Sequence, residues 1–257
     1  MTDPLLDRLA APSAPRADRS ELTDLTDRLV DRWLRAPGPL GDVLVVVGAG
    51  GVRYLRDAAT GEDAFRHEYR RRFSRPVLAS TRRAPAGLLP ALRGRPGRPD
   101  VDLGDATGFE RAVLAATARI PVGETRPYGW VAREAGRPRA VRAVGTVLAR
   151  NPVPLLVPCH RVTRADGHLG DYMFGAPAKA TLLRAEDADV EGLAALADRG
   201  VTLLGSDTTG VVCFPSCHHA RRITDAHRRE FRSPAAALAA GYRPCRACRP
   251  ATPAGPG

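Results

Sequence analysis

The sequence predicts an α+β fold in three parts: a small α/β amino-terminal domain, a helical domain with a helix-turn-helix, and a small four-cysteine domain. Three observations carry this prediction. β-Branched apolar runs flank a glycine cluster early in the chain, apolar residues recur at helical spacing in the middle, and four of the five cysteines form two close pairs near the end. At 44% hydrophobic residues, the 257-residue chain has enough apolar material for globular cores.

Residues 1–39 are predicted to form an amino-terminal extension. Ser20 is placed to cap a helix, and Pro37-Gly38-Pro39 would end it. The apolar residues that fall at helical spacing within it are Leu22, Leu25, Leu29 and Trp33.

Residues 40–103 read as a small α+β domain without chemistry of its own. Val43–Val47 and Val52–Leu55 flank Gly48-Ala49-Gly50-Gly51, which predicts a β-hairpin. A phosphate-binding loop is disfavoured because the cluster lacks the Gly-Lys-Ser/Thr ending and lies between strands. The remaining features are a helix face of Phe65, Tyr69 and Phe73, a second short helix over Ala86–Leu92, and a linker over Arg93–Asp100.

Residues 104–190 are predicted to be helical. A helix carrying Phe109, Val113, Leu114 and Ala116 should lead to Ile120-Pro121. Two short helices, Tyr128–Ala135 and Arg139–Leu148, are separated by Gly136-Arg137-Pro138, the pattern of a helix-turn-helix. Short helix pairs that only pack together are the commoner case, so the pattern alone does not indicate DNA binding.

A reactive cysteine is indicated by the run from Asn151 to Val162. Val153–Val157 predicts a buried strand or, given its prolines, an extended passage that ends in a turn. Cys159 lies at this turn with His160 beside it, and Glu186 ends the helical run from Lys179. A thiol needs a base or cation to become the reactive thiolate, and a carboxylate can orient that base. The alternative is a buried small hydrophobic residue beside an unrelated histidine.

Three runs resemble the O6-alkylguanine-DNA alkyltransferase family: Pro158-Cys159-His160-Arg161-Val162, Arg142-Ala143-Val144-Gly145, and Ile120 to Gly129. The resemblance extends from about Phe109 to Glu186 without an internal gap. It implies that an alkyl group moves irreversibly from O6-alkylguanine in double-stranded DNA to Cys159, with O4-alkylthymine as a further substrate. It implies no organic cofactor. The thioether product would not hydrolyse, so each molecule would act once.

The resemblance also implies roles for single residues. His160 would relay the thiol proton through water, Glu186 would hold the imidazole, and Asn151 would brace the turn before the cysteine. Tyr128 would contact the extruded guanine, and Arg142 would enter the base stack that the guanine has left. Small residues on the same helix would allow its close approach to the minor groove; these are Ala140, Ala143 and Gly145.

The substrate pocket implied by the resemblance is formed by Val162, Tyr172, Met173 and Phe174. A bulky Phe174 would narrow it and disfavour large alkyl groups. We therefore expect faster repair of methylguanine than of benzylguanine, and equal rates would refute this expectation.

Residues 191–252 are predicted to be a zinc domain, with residues 253–257 as a tail. Cys213 and Cys217 form one pair and Cys245 and Cys248 the other, a spacing typical of a four-cysteine zinc site. Nearby histidines could compete as ligands, but four thiolates already complete a tetrahedron; these are His218, His219 and His227.

This segment resembles the amino-terminal zinc domain of the adaptive-response protein Ada, in which the first cysteine accepts a methyl group from a DNA phosphotriester. The resemblance makes Cys213 a possible second methyl acceptor. Phe214, however, stands where that family has an arginine, which leaves a purely structural zinc module for DNA docking as the alternative. The zinc domain also follows the alkyltransferase part and no further helix-turn-helix comes after it, which disfavours a methylation-switched activator.

The charge of the chain fits such partners. A formal net charge of +11 predicts a polyanionic partner, nucleic acid before an anionic membrane surface, although a solvated basic surface is the alternative. Lys179 is the only lysine, so nucleotide-composition bias also explains part of the arginine excess. Neither a signal peptide nor a membrane span is recognised, which predicts a cytoplasmic protein. We also expect a monomer. The competing functions are an alkylation-sensing DNA-binding regulator and a Cys-His-Glu hydrolase.

Overall fold

The computed structural model describes residues 29–95, 97 and 99–250. Within these ranges it contains helices and three small sheets, in the order of an α+β protein. None of the helices in the described part of the chain has the length and apolar character that crossing a bilayer requires.

The first sheet has the strand order β3-β2-β1-β4. Its strands are β1 (Asp31–Gly38), β2 (Gly41–Gly48), β3 (Gly51–Asp57) and β4 (Val77–Ala79). β1 and β3 are antiparallel to β2, and β4 runs parallel to β1. The predicted hairpin is confirmed as β2 and β3.

The first sheet is covered on both faces, which explains why β2 is apolar at successive positions. Leu44 and Val46 point to one face, where they meet helix α1 (Glu62–Phe73) through Phe65 and Tyr69. Val43 and Val45 point to the other face and join the large core that also holds Cys159. The sheet therefore forms one wall of the domain that contains Cys159.

The predicted helix through Trp33 is wrong at its carboxyl end, because Trp33 lies in β1. It pairs with Val46 of β2 and packs edge-on against Phe65. The spacing of Leu29 and Trp33 fits both the 3.6-residue period of a helix and the two-residue period of a strand. Trp33 adopts the strand because β1 pairs with both β2 and β4. Pro37 and Gly38 end β1 at the hairpin. The rest of the predicted helix, with Ser20, Leu22 and Leu25, lies outside the described residues, and the sheet begins before residue 40.

Two further helices follow the first sheet. α2 (Leu88–Leu92) is shorter than the predicted Ala86–Leu92, and Leu88 and Leu92 face the large core. α3 (Gly108–Ala118) begins at a capping box, in which the Thr107 side chain binds the Glu110 amide and Glu110 binds back to Thr107. This exchange satisfies amides at the helix start and fixes where α3 begins.

The predicted helix pair is present as α4 (Tyr128–Glu134) and α5 (Val141–Ala149). Gly136, with φ of +76°, makes the turn between them. α5 begins two residues later than expected, with Ala140 as its N-cap rather than inside the helix. Val144 and Leu148 are the buried face of α5, which leaves its opposite face to solvent.

The carboxyl-terminal part is built around a second sheet with the order β10-β8-β7-β9. Its strands are β7 (Leu203–Ser206), β8 (Val211–Cys213), β9 (Arg228–Phe231) and β10 (Arg243–Pro244). Helix α6 (Ala176–Ala185) and helix α7 (Val190–Asp198) precede it, and α8 (Pro234–Ala239) lies between β9 and β10.

Candidate functional site

A two-residue parallel ladder brings Cys159 next to the start of α4. β5 (Arg126–Pro127) pairs with β6 (Val162–Thr163), so that Arg126 lies opposite Val162. Tyr128 follows β5 directly as the first residue of α4. Cys159 precedes β6 in a single 3-10 turn over Cys159–Arg161. Segments some 30 residues apart thus meet at one place.

The segment Val153–Val157 before Cys159 forms a tight turn. It does not form the buried strand that was one of the two predictions from the sequence. Pro154 and Val157 bridge to each other around Leu155, whose φ is +74°. Prolines at 152, 154 and 158 remove the amides that a strand would need, so the chain folds back instead. Leu55 of β3 donates its amide to the Pro152 carbonyl at 2.8 Å, which ties this turn to the first sheet.

Asn151 uses both ends of its amide to hold the turn. Its Nδ2 donates to the Val157 carbonyl at 2.9 Å and to Cys159 Sγ at 3.3 Å. Its Oδ1 accepts from the Val153 amide at 3.1 Å. Asn151 is completely buried, so these bonds are made away from competing water. The structure thus places the expected bracing residue in direct contact with the sulfur.

Glu186 lies at the end of α6 and binds His160. Its Oε1 is 2.8 Å from His160 Nε2. Arg161 holds the same carboxylate in a two-pronged contact, with its Nε 2.8 Å from Oε2 and its Nη2 2.8 Å from Oε1. The Gly123 amide completes the set by donating to Oε2 at 3.1 Å. This arrangement leaves the carboxylate with four donors and fixes its orientation.

These donors keep Glu186 ionised. Burial alone would raise the pKa of the carboxyl group, but the hydrogen bonds and charges of His160 and Arg161 outweigh it and lower the pKa to about 2. Because an ionised carboxylate only accepts hydrogen bonds, His160 must carry its proton on Nε2. The other ring nitrogen, Nδ1, is then an acceptor, and it is buried without a protein partner.

Cys159 is a thiol at rest rather than a thiolate. Burial raises the pKa of Cys159, while the Asn151 bond and the positive charge of Lys179 act in the opposite direction. Burial likewise lowers the pKa of His160, so its ring is neutral at pH 7. A neutral thiol therefore lies beside a neutral imidazole that is able to accept a proton.

The four residues expected to form the substrate pocket differ in burial. Tyr172 lies edge-on to His160 at 6.0 Å and edge-on to Phe174 at 5.4 Å. Val162 is fully buried in β6, and Met173 is half-buried. Burial raises the pKa of Tyr128 and so does the nearby Cys159, which keeps the Tyr128 hydroxyl protonated.

The expected DNA-contacting residues lie on the solvent side of α5 or at its start. Arg142 and Ala143 are exposed, and Ala140 and Gly145 are partly exposed. A side chain added at Gly145 would meet nothing within 4 Å, so the surface around it is open. The structure therefore leaves this face free to approach a large partner.

Four buried cysteines form a cluster in the carboxyl-terminal domain: Cys213, Cys217, Cys245 and Cys248. Their sulfurs all lie within 4.8 Å of one another. Sulfurs around a tetrahedral zinc are about 3.8 Å apart, given Zn–S bonds of about 2.3 Å, so this cluster fits the metal. Thiolates are also the ligands that zinc prefers in closed structural sites.

The three nearby histidines have other partners. His218 Nδ1 lies 2.9 Å from Glu124, and the His218 ring packs at a tilt against His219 with centroids 4.0 Å apart. His227 Nδ1 lies 2.9 Å from Asp207. Glu124, Cys217 and His218 are close enough for a second metal arrangement, but it would share Cys217 with the four-cysteine cluster.

Several residues at the site were not expected from the sequence. Arg161 grips Glu186, Gly123 donates its amide to it, and the Lys179 ammonium group binds carbonyls beside the Cys159 turn. Burial lowers the pKa of Lys179 to about 8. Two features of the sequence could have indicated these residues. Lys179 is the only lysine of the chain, and Arg161 directly follows Cys159-His160. Nothing in the sequence pointed to Arg56, which reaches the Asn151 carbonyl from β3 at 3.4 Å.

Comparisons with known proteins agree with this geometry. The family model described as 6-O-methylguanine DNA methyltransferase, DNA binding domain, matches residues 108–188, and the metal binding domain of Ada matches residues 195–251. The chain is 47% identical over 82 residues to the methylated-DNA–protein-cysteine methyltransferase of Methanosarcina acetivorans, which is 32% of this chain and 53% of that protein. It is 45% identical over 85 residues to the bifunctional transcriptional activator/DNA repair enzyme Ada of Escherichia coli, which is 33% of this chain and 24% of that protein.

A solved structure, Mycobacterium tuberculosis OGT in complex with DNA, aligns with a TM-score of 0.48 and 26% identity, covering 63% of this chain and 98% of that one. The chain spans about half the length of the curated methyltransferases it matches.

The two resemblances and the α+β fold class expected from the sequence are confirmed. The metal-domain match and the cysteine cluster together identify a four-cysteine zinc site. The chain thus contains a DNA-binding domain of the 6-O-methylguanine DNA methyltransferase family followed by a metal-binding domain of the Ada type.

Proposed function

We propose that this protein repairs DNA by moving the alkyl group of O6-alkylguanine irreversibly onto Cys159. The observation that carries the proposal is the chain of contacts from Asn151 to Cys159 and from His160 to Glu186, in which His160 Nδ1 is left able to accept a proton. Such an arrangement suits a nucleophile that is neutral at rest and is deprotonated only during the reaction.

The reaction balances with the residues present. The Cys159 proton moves through water to His160 Nδ1, and Glu186 stabilises the imidazolium that forms. The sulfur attacks the alkyl carbon, a carbon–sulfur bond forms, and the bond from that carbon to O6 breaks. The Tyr128 hydroxyl, kept protonated by burial, donates its proton to the leaving guanine, and the proton held on His160 replaces it through water, so that the products are the thioether and neutral guanine. Lys179 and Asn151 offset the negative charge on sulfur as it develops.

The product explains why the protein would act once. A thioether on Cys159 has no leaving group that water could displace under mild conditions. A Cys-His-Glu hydrolase would instead form a thioester that water cleaves, and it would turn over many times. The rings of Tyr172 and Phe174 support the preference for small alkyl groups.

Double-stranded DNA is the partner that the exposed face of α5 supports. The target atom is inside the duplex, so the nucleotide must leave the stack, which costs roughly a few kcal/mol. Arg142 is exposed on α5 and would fill the space left behind, and Ala143 and Gly145 would allow the helix to lie close to the minor groove. Alkylated guanine as the specific substrate and a monomeric state both belong to this proposal.

We assign DNA docking to the zinc domain as well. Eight arginines and two acidic residues lie between residues 213 and 250, which favours contact with phosphates. A groove of about 410 Å³ is lined by Cys213 together with Arg222, Arg243 and Arg246. This groove supports methyl acceptance by Cys213 from a phosphotriester as a second candidate function. Zinc supplies the chemistry of keeping such a sulfur deprotonated at neutral pH.

A cytoplasmic location is part of the same proposal. None of the five cysteines, all of which lie in the described part of the chain, forms a disulfide, which is the state that a reducing compartment maintains. The proposed domain division is an amino-terminal domain up to residue 103, a catalytic domain over 104–190 and a zinc domain over 191–252.

The decisive experiment incubates the zinc-loaded protein with a duplex that carries one O6-methylguanine and maps modified cysteines by mass spectrometry. We expect one methyl group on Cys159 and none in Cys159→Ser. The absence of transfer from folded, zinc-loaded protein would overturn the proposal and favour an alkylation-sensing regulator. A duplex with a methylphosphotriester tests Cys213 in the same way, with Cys213→Ala as its control.

A further inference from the structure

The zinc domain is attached to the catalytic domain through buried polar contacts close to the Cys159 site. Ser216 Oγ accepts from the Thr125 amide at 2.8 Å and donates to the Thr125 carbonyl at 3.1 Å. The His218 amide donates to Glu124 Oε1 at 3.0 Å. Ser216, Glu124 and Thr125 are all buried, so this junction is closed to water. It holds the loop between Ile120 and β5 in place.

Arg221 extends this junction to the catalytic carboxylate. Its Nη2 donates to the Gly123 carbonyl, and its Nη1 donates to the Asp187 carbonyl at 3.3 Å. Gly123 in turn donates its amide to Glu186 Oε2 at 3.1 Å, and Asp187 is the residue after Glu186. One guanidinium group of the zinc domain therefore joins the two backbone segments on either side of the Glu186 carboxylate.

Gly123 packs tightly between Glu186 and Arg221. Its φ is +71°, and a side chain there would overlap the Glu186 carbonyl and approach Arg221 Nη2 to 3.2 Å. Only glycine fits between the two residues without displacing one of them. A shift of Arg221 would therefore be passed to Gly123 and from there to Glu186.

We infer that Arg221 is a positioning residue for the Cys159 site, through which the folded zinc domain fixes Gly123 and thereby the Glu186–His160 pair. The inference rests on the proposed alkyl transfer and deepens it, because it makes the zinc domain part of the machinery of that reaction. Zinc binding would act on Arg221 through Cys217, because the Cys217 carbonyl accepts a hydrogen bond from the Arg221 amide at 3.1 Å. A turn that is held by the metal thus sets the direction of the Arg221 side chain.

The test compares Arg221→Ala with Arg199→Ala. Arg199 is a matched control, because its side chain is exposed and its hydrogen bonds go to Ala195 and Glu230, neither of which belongs to the contacts around Glu186. Zinc content and circular dichroism establish that each variant is folded and loaded. Two rates are then measured: transfer from an O6-methylguanine duplex in a single turnover at saturating protein, and alkylation of the Cys159 peptide by iodoacetamide against pH.

We expect Arg221→Ala to slow the single-turnover transfer about tenfold, because small misplacements of a catalytic group are costly. The pH profile of Cys159 alkylation should move to higher pH, since a displaced imidazole no longer takes up the thiol proton. Arg221→Lys, which keeps one donor, should recover part of both effects, and it replaces Arg221→Ala if that variant does not fold. Arg199→Ala should match the unmodified protein.

Arg221→Ala with an unchanged rate and pH profile would overturn the inference. Equal losses in Arg221→Ala and Arg199→Ala would overturn it too, because they would indicate general weakening of the zinc domain. If the unmodified protein transfers nothing, the proposed function fails instead. The iodoacetamide profile then still decides whether Arg221 positions the His160–Glu186 pair.

Discussion

Asn151 shows how one neutral side chain serves both the shape of a turn and the reactivity of a sulfur. Its amide donors face a carbonyl and Cys159 Sγ, and its oxygen faces a backbone amide. A carboxylate in the same place would have the same shape but would present an acceptor and a negative charge to the sulfur. The two properties can therefore be separated by substitution.

We predict that Asn151→Asp raises the pKa of Cys159 and slows its alkylation by iodoacetamide at pH 7 by about tenfold or more, since each pKa unit is a factor of ten in thiolate. Asn151→Ala removes the bond without adding charge, so its pH profile should move less. The profile is measured on the Cys159 peptide by mass spectrometry. Identical profiles for the two variants would mean that charge at this position does not act on the sulfur.

Glu186 makes the stability of the protein depend on pH in acid. The folded state lowers the pKa of Glu186 from its ordinary 4.5 to about 2, so the unfolded chain binds the proton more readily. The resulting stabilisation is complete above pH 4.5 and is lost as the pH falls towards 2, with a total of about 3 kcal/mol. We predict that the free energy of unfolding falls less steeply across this window in Glu186→Gln.

Urea unfolding at several values between pH 5 and pH 2.5 measures this slope. Glu62→Gln is the control, because it removes a carboxylate that lies at the surface beside Arg35 and outside the Cys159 site. Acid release of zinc affects all three proteins alike, so the difference between them reports Glu186. A slope in Glu186→Gln equal to that of the unmodified protein would contradict the prediction.

At the scale of elements, α5 carries a glycine that folding does not require. Gly145 lies inside the helix, where glycine costs roughly 0.5–1 kcal/mol relative to alanine, and no neighbour lies within 4 Å of the position of a Cβ. A residue that weakens its helix without relieving a clash is explained by a partner that must come close.

We predict that Gly145→Leu raises the free energy of unfolding by about 0.5–1 kcal/mol and weakens duplex binding at least tenfold, because the added side chain stands between helix and groove. Urea unfolding and fluorescence anisotropy with a short duplex measure the two quantities. Gly108→Leu in α3, where a Cβ also meets nothing within 4 Å, should leave duplex binding unchanged. If Gly145→Leu binds the duplex as tightly as the unmodified protein, α5 is not part of the DNA interface.

The elements differ in how far the sequence predicts them. α1, α3 and the β2–β3 hairpin follow from local patterns, since Phe65 and Tyr69 mark the buried face of α1 and Val113 and Leu114 mark that of α3. Trp33 was misassigned because its environment is set by Val46 on another strand, which no local window contains. The chemistry of Cys159 and His160 is local as well, whereas Arg56 and Gly123 reach the site only through tertiary contacts.

At the scale of the whole molecule, Phe214 occupies the joint between the catalytic and zinc domains. It is half-buried and packs against the core that contains Cys159 and also against the zinc cluster. The Arg126 guanidinium lies 5.4 Å from the Phe214 ring and 5.8 Å from the Trp130 ring. Trp130 in turn donates its indole N–H to the Cys248 carbonyl at 2.9 Å. The residue that departs from the Ada pattern is therefore used for contact between domains.

We predict that Phe214→Arg destabilises the protein by roughly 2 kcal/mol, the value of burying such a ring, and places two arginines against each other at the joint. Zinc binding should persist, because the four cysteines are unchanged, so the zinc domain should loosen from the catalytic domain rather than unfold. Urea unfolding followed separately by zinc release and by tryptophan fluorescence should then give two transitions where the unmodified protein gives one. Phe214→Leu keeps the apolar contact and should retain a single transition. Coincident transitions in Phe214→Arg, at the midpoint of the unmodified protein, would mean that the domains are held together without this ring.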